Sequence, residues 1–218
     1  DFVTEGSFIL QYNMTTSING MNYSNYSGLY KYLGTGWNLL TYSAYNKTTL
    51  AVCSEIGSCT SVSIYNNSNK TFTTYATATP AVNNDTQIRP GDAILVYTTA
   101  ASALIETDIM STLYGTVNEN ITLYNNTWNT MGLFRATNMS GVLNATSTTG
   151  SYNITYGAVW NATGLKYYTC RKAYNKCGGT STLPKNILLP RGYAVWVVTT
   201  ENNLNVTINR TTIVGEVG

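Results

Sequence analysis

Ile88-Arg-Pro-Gly-Asp-Ala-Ile-Leu-Val-Tyr-Thr-Thr99 and Leu189-Pro-Arg-Gly-Tyr-Ala-Val-Trp-Val-Val-Thr-Thr200 are two versions of one phrase, 101 residues apart. Glycine, alanine, an apolar run and a threonine pair recur in the same order. A proline and glycine turn that opens an apolar, β-branched run is the signature of a strand buried on both faces. Outward from each version the agreement continues. Upstream stand Trp37-Asn38-Leu39-Leu40 and Trp128-Asn129-Thr130-Met131, and downstream Ala103–Val117 matches Leu204–Val217. The chain therefore reads as all-β, built of two tandem β-sandwich domains of immunoglobulin-like or jelly-roll-like type. An N-terminal arm over 1–20 precedes domain one (21–117) and domain two (118–218).

Strands are expected in domain one at Leu29–Leu33, Trp37–Tyr45, Thr48–Cys53, Ser61–Tyr65, Thr71–Thr79, Ala93–Thr99 and Ala103–Leu113. In domain two they fall at Ile121–Tyr124, Trp128–Ala136, Gly141–Leu143, Tyr152–Trp160, Leu165–Cys170, Ala194–Thr200 and Leu204–Val214. The spacing from tryptophan to glycine is 54 residues in the first copy and 64 in the second, which places an insertion around Asn144–Asn161.

Composition narrows the function classes. Only 10% of the 218 residues are charged and the net charge is +2, well below the usual ~25% charged and without a basic stripe for nucleic acid. No apolar run is long enough to span a membrane. Asparagine, serine, threonine and tyrosine carry the polarity. Fifteen Asn-x-Ser/Thr sequons begin at Asn13, Asn22, Asn25, Asn46, Asn66, Asn69, Asn84, Asn120, Asn125, Asn138, Asn144, Asn153, Asn161, Asn205 and Asn209. With 26 asparagines and 52 serines plus threonines, composition alone supplies about six, so the excess points to N-glycosylation and export. Close pairs such as Asn22/Asn25 and Asn66/Asn69 would crowd two glycans.

The four cysteines fall in two close pairs, Cys53/Cys59 and Cys170/Cys177. Two short disulfides are expected, each contributing about 2.4 kcal/mol on the chain-entropy model. The competing zinc reading needs tighter cysteine spacing or histidine, and the chain has no histidine. That absence also removes serine-histidine and cysteine-histidine catalysis and imidazole metal sites. The remaining acid pairs, Glu106 with Asp108 and Asp85 with Asp92, would suit a glycosidase but read better as solvated loop positions. The 18 tyrosines and 4 tryptophans fit sheet packing better than a sugar-binding platform. No enzyme activity, metal or cofactor is expected beyond covalent glycans.

The arm has no partner in the duplicated plan. Phe8, Leu10, Tyr12 and Met14 alternate with Ile9, Gln11, Asn13 and Thr15, a strand with one apolar face, and Asn19-Gly20 marks a turn after it. Such a strand either folds back on its own domain or completes the sheet of a neighbour by strand addition. Burying those four side chains in an acceptor would be worth about 6–12 kcal/mol before ordering costs. Repeated head to tail, that contact does not close and builds a filament.

Gly36-Trp37-Asn38-Leu39-Leu40, followed by Pro90-Gly91-Asp92-Ala93 and its apolar strand, resembles a β repeat of exported archaeal and bacterial surface proteins. There the second run more often reads Gly-Tyr-Trp-Val; in this chain it reads Gly-Asp-Ala-Ile-Leu-Val and Gly-Tyr-Ala-Val-Trp-Val, and Thr127 stands for the glycine before the second tryptophan. With its sequon density, lack of histidine and donor-like arm, the whole chain is similar to the subunits of archaeal thread filaments, thin N-glycosylated surface fibres of thermoacidophiles. That resemblance implies donor-strand complementation between successive subunits, with isopeptide cross-links that no motif places on particular residues. The expected function is a structural subunit of an extracellular homopolymer, with the neighbouring copy as partner. The alternative is a non-polymerising surface glycoprotein, an S-layer component or adhesin, with the arm packed in cis. Ten carboxylates leave little stability to lose in acid, which suits an acidic habitat, whereas the high asparagine content runs against a hot one.

Overall fold

A computed structural model describes residues 8–12, 16–18, 21–23, 26–42, 47–89, 91–106, 118–133, 137–144, 146–147, 150–151, 153–161, 166–173, 176–177, 183–184, 186, 188–189 and 192–209. They form several antiparallel sheets and two short helices. The principal elements of the first half are β1 (Phe8–Tyr12), β2 (Tyr26–Leu33), β3 (Gly36–Thr41), α1 (Thr49–Glu55), β4 (Cys59–Asn66), β5 (Thr71–Ala76), β6 (Ala93–Thr98) and β7 (Ser102–Glu106). Those of the second are β8 (Asn118–Leu123), β9 (Trp128–Gly132), α2 (Met139–Leu143), β10 (Ile154–Asn161), β11 (Lys166–Arg171), β12 (Ala194–Thr199) and β13 (Leu204–Asn209).

In the first half one sheet runs β1-β2-β7 and another β3-β6-β4-β5. The second half repeats the plan as β8-β13 and β9-β12-β10-β11, the latter extended by Lys176–Cys177 and Leu183–Pro184. Registers repeat as well. Trp37 pairs with Tyr97 on β3 and β6, and Trp128 with Val198 on β9 and β12. The bulge at Tyr97/Thr98 against β4 recurs where β12 meets β10, between Ile154 and Tyr156. Even a two-residue ladder is duplicated, Lys47–Thr48 with Gln87–Ile88 and Thr137–Asn138 with Leu188–Leu189.

Each half has its own apolar cluster, drawn from both of its sheets. Leu33 and Leu104 join Leu40, Val62, Tyr75, Ile94 and Val96 in the first. In the second, Leu123, Leu204 and Val206 join Met131, Val159, Val195 and Val197. The glycines of the repeated phrase have a conformational reason: Gly91 (φ 95°) and Gly192 (φ 86°) occupy the left-handed region that side chains resist. Gly36 does the same at 99°, and Asn126 (φ 52°) takes that role in the second half, where Thr127 stands for the glycine.

The buried asparagine after each tryptophan ties the turn that leads into its strand. Asn38 accepts the Gly34 N–H (2.9 Å) and donates to the Gly34 and Gly36 carbonyls (2.9 and 3.0 Å). Asn129 accepts the Tyr124 N–H (2.8 Å) and donates to the Tyr124 and Thr127 carbonyls (both 2.9 Å). Backbone groups that no strand could satisfy are thus paired in the same way twice.

Two expected strands are helices. Thr48–Cys53 overlaps α1 and Gly141–Leu143 lies in α2. Each helix starts at a side-chain cap. Thr48 Oγ1 accepts the Ala51 N–H (3.2 Å), and Asn138 Oδ1 accepts the Gly141 N–H (2.7 Å). Thr49, Val52 and Cys53 in one, and Met139, Val142 and Leu143 in the other, turn inward at helical spacing. The insertion in the second half is also split. Helix caps Thr48 and Asn138 are offset by 90 and strand starts Cys59 and Ile154 by 95, so five residues enter before β10; Ile88 matches Leu189 at 101, so six more enter after β11.

Candidate interaction surfaces

The arm begins the three-stranded sheet. β1 pairs antiparallel with β2 of its own chain, Phe8 opposite Tyr30, Leu10 opposite Gly28 and Tyr12 opposite Tyr26. A further ladder, Thr16–Ile18 with Met21–Tyr23, brings Ile18 opposite Met21 on either side of Asn19-Gly20. Met14 lies outside the described residues. In register, Phe8, Leu10 and Tyr12 fall in the alternate set to Lys31 and Leu33, the β2 positions that are buried. Among the described residues β8 pairs only with β13. Described strands number two in that sheet and three in its first-half counterpart.

Lys31 is fully buried and its ammonium donates to the Thr41 carbonyl. Its counterpart is Ile121, because Lys31 pairs with Leu104 as Ile121 pairs with Val206. No sequence pattern marked this lysine; only its register does.

The two halves meet through close backbone contact. Thr41 N–H donates to the Gly192 carbonyl (2.9 Å) and Thr41 Oγ1 to the Tyr193 carbonyl (2.9 Å), while Leu133 N–H donates to Thr41 Oγ1 (3.2 Å). The position equivalent to Thr41 is Gly132, and it has to be small: a Cβ there would lie 2.6 Å from Thr41 Cγ2 and 2.8 Å from the Gly91 carbonyl oxygen. Leu39, Ala93 and Ala194 fill the joint, with Leu95, Trp160 and Trp196 packed against them. Aromatic rings continue it, Tyr65 against Trp196 (4.8 Å between centroids) and Trp160 against Tyr167 (4.7 Å). Burial pushes the Tyr65 and Tyr167 phenols above the usual tyrosine range; the Trp196 hydrogen bond to Tyr167 works against that shift.

The turn between β4 and β5 is a clasp. Asn67 accepts the Thr130 N–H (2.8 Å) and donates to the Thr130 carbonyl (3.1 Å) and the Thr122 carbonyl (3.3 Å). One side-chain amide thus pairs with both backbone groups of a β9 residue, as a neighbouring strand would. Lys70 of the same turn sits over the Tyr124 ring, 4.4 Å from its centroid, and partial burial lowers its pKa. Beside the clasp a cleft of about 530 Å³ opens between the halves, lined from one side by Tyr65, Asn66 and Arg89 and from the other by Asn120, Thr122 and Tyr124.

Disulfides join Cys53 to Cys59 and Cys170 to Cys177. The first ties α1 to β4, and the second ties β11 to the strand Lys176–Cys177. The two bridges are not equivalent in the repeat. Leu143 and Ile154, both buried, stand where the first half has Cys53 and Cys59.

Of the sequon asparagines, Asn66, Asn69, Asn120, Asn125, Asn144, Asn153 and Asn205 are exposed, while Asn84 and Asn138 are half-buried. Asn13, Asn25 and Asn46 lie outside the described residues; Asn22, Asn161 and Asn209 are placed by backbone only. On β8 and β13 two sequons face each other crosswise, Asn120 opposite Thr207 and Thr122 opposite Asn205, with Thr122 Oγ1 bonded to Asn205 Oδ1 at 2.8 Å.

Asp92 Oδ2 accepts the Arg89 N–H (2.8 Å) within the glycine turn. Asp85 is an exposed loop residue, Glu106 ends β7, and Asp108 lies outside the described residues. Among the described residues no cluster of cysteine, aspartate or glutamate is placed to hold a metal, and no helix is long and apolar enough to cross a membrane. No family model, curated protein or solved structure matches the chain.

Proposed function

We propose that the chain is the subunit of an extracellular, N-glycosylated filament in which the arm of one subunit completes a sheet of the next. Each half is then a β-sandwich domain, 21–117 and 118–218, preceded by a donor arm over 1–20. The observation that carries this reading is the strand count among the described residues: β1 adds a third strand to β2 and β7, while β8 and β13 pair with each other alone. The acceptor is the side of β8 that faces away from β13. There a strand set with Phe8, Leu10 and Tyr12 alongside Ile121 and Leu123 covers the second core with the arm's apolar alternate, whereas the register on β2 does not align that set with Lys31 and Leu33. A one-residue change of register exchanges the two faces of a strand, so parity is what distinguishes the two partners. The sequon excess, the disulfides and the exposed asparagines support an exported, glycosylated surface protein.

Removing residues 1–15 should leave monomers that negative-stain microscopy shows as single particles, and added arm peptide should bind them. The Leu10→Lys variant should assemble poorly while unfolding at the parent temperature. Fibres that form unchanged without residues 1–15 refute the donor role. The second reading, a surface glycoprotein that does not polymerise, is favoured by the β1 pairing with β2 of its own chain. It predicts that native material stays monomeric and that Leu10→Lys lowers the unfolding temperature instead.

A further inference from the structure

The cleft between the halves has a ligand attachment point in its own wall. Asn66 is an exposed sequon asparagine that lines it. Its Oδ1 is held from behind by the Ser68 N–H (2.8 Å), the Ser68 hydroxyl (2.6 Å) and the Asn69 N–H (3.4 Å). The amide is therefore fixed by its oxygen, and among the described residues its Nδ2 donates to no protein group. Nδ2 is the atom that takes a glycan: it displaces the phosphate leaving group from the anomeric carbon of an activated sugar and gives up one proton.

We propose that the innermost sugars of an N-glycan on Asn66 lie in this cleft and bridge the two halves. The proposal rests on the glycoprotein reading above. At about 530 Å³ the cleft falls within the roughly 300–1,000 Å³ range of small-molecule sites. Its walls carry what a sugar ring engages: the rings of Tyr65 and Tyr124 for C–H faces, and the polar ends of Arg89, Asp92 and Gln87 for hydroxyls. Asn66 belongs to the clasp that already reaches across the joint, since Asn67 bonds to Thr122 and Thr130. A sugar held here is tethered to the first half and touches the second.

The test uses glycosylated protein purified intact. Hydroxyl-radical oxidation, which abstracts hydrogen from sugar carbons open to solvent, is followed site by site by glycopeptide mass spectrometry. Core sugars on Asn66 should oxidise at least tenfold more slowly than those on the exposed Asn125, Asn153 and Asn205, and at the same rate once the protein is denatured. The Thr130 amide should also exchange more slowly with solvent deuterium than in protein made without glycosylation. Occupied Asn66 sugars oxidising as fast as those of Asn153 overturn the proposal, as does protection confined to a glycan on Asn120. Asn66 bare while other sequons are occupied overturns it and leaves the glycoprotein reading standing; all sequons bare defeats both.

Discussion

Replacing Asn67 by alanine isolates the joint between the halves. The substitution keeps the Asn66-x-Ser68 sequon, so glycosylation is not the variable. It removes two good hydrogen bonds to Thr130, at 2.8 and 3.1 Å, and weaker ones to the Thr122 carbonyl and the Thr130 hydroxyl at 3.3 Å. Thr130 is only 4% exposed, so water replaces its lost backbone partner poorly. A buried N–H left unpaired costs about 1–3 kcal/mol, and each good hydrogen bond contributes on the order of 1 kcal/mol. The expected loss is about 2–4 kcal/mol. For a chain of this size that lowers the unfolding temperature by about 5–15 °C, and calorimetry should show the single transition broadening or splitting as the halves uncouple. Ser58→Ala, which deletes an exposed hydroxyl bond to the Ala100 carbonyl, serves as control and should change stability by no more than about 0.5 kcal/mol. A shift for Asn67→Ala no larger than that of the control refutes the clasp.

Gly132→Ala should cost about 1–3 kcal/mol by overpacking, measured by the denaturant midpoint, because the Gly91 carbonyl cannot yield as a side chain would. Asn129→Ala should cost about 2–4 kcal/mol, since it strands the Tyr124 N–H and two carbonyls; a loss below 1 kcal/mol would show that water satisfies the turn. For Tyr65 and Tyr167 the folded pKa is raised by burial. Their contribution is therefore complete below the unfolded tyrosine value of about 10 and declines as pH rises through the folded values, so thermal stability should fall above about pH 10 and Tyr167→Phe should blunt the fall.

Much of the fold was legible because its signals are local. Pro90-Gly91 with an apolar run, and the same phrase around Gly192, declares a strand wherever it occurs, since alternation and turn chemistry act over a few residues. Cysteine spacings of 6 and 7 allow little besides a short bridge. The helices were less legible. Thr49-Leu-Ala-Val-Cys-Ser-Glu55 is too short for its period to separate from a buried strand, and the core that receives Val52 and Cys53 resolves the ambiguity.

An all-β chain written twice, its cysteine pairs, its sequons and a strand at the start could be read from residue order alone. It took the packed fold to show that β1 lies beside β2, that Lys31 occupies the place of Ile121, that Gly132 is small because Thr41 faces it, and that Asn67 serves as a strand's substitute for Thr130. Each of these depends on residues brought together from distant parts of the chain, by contacts whose closure cost is met only when both sheets are in place. A periodic pattern states which side of a strand is apolar; it does not state which strand comes next to it.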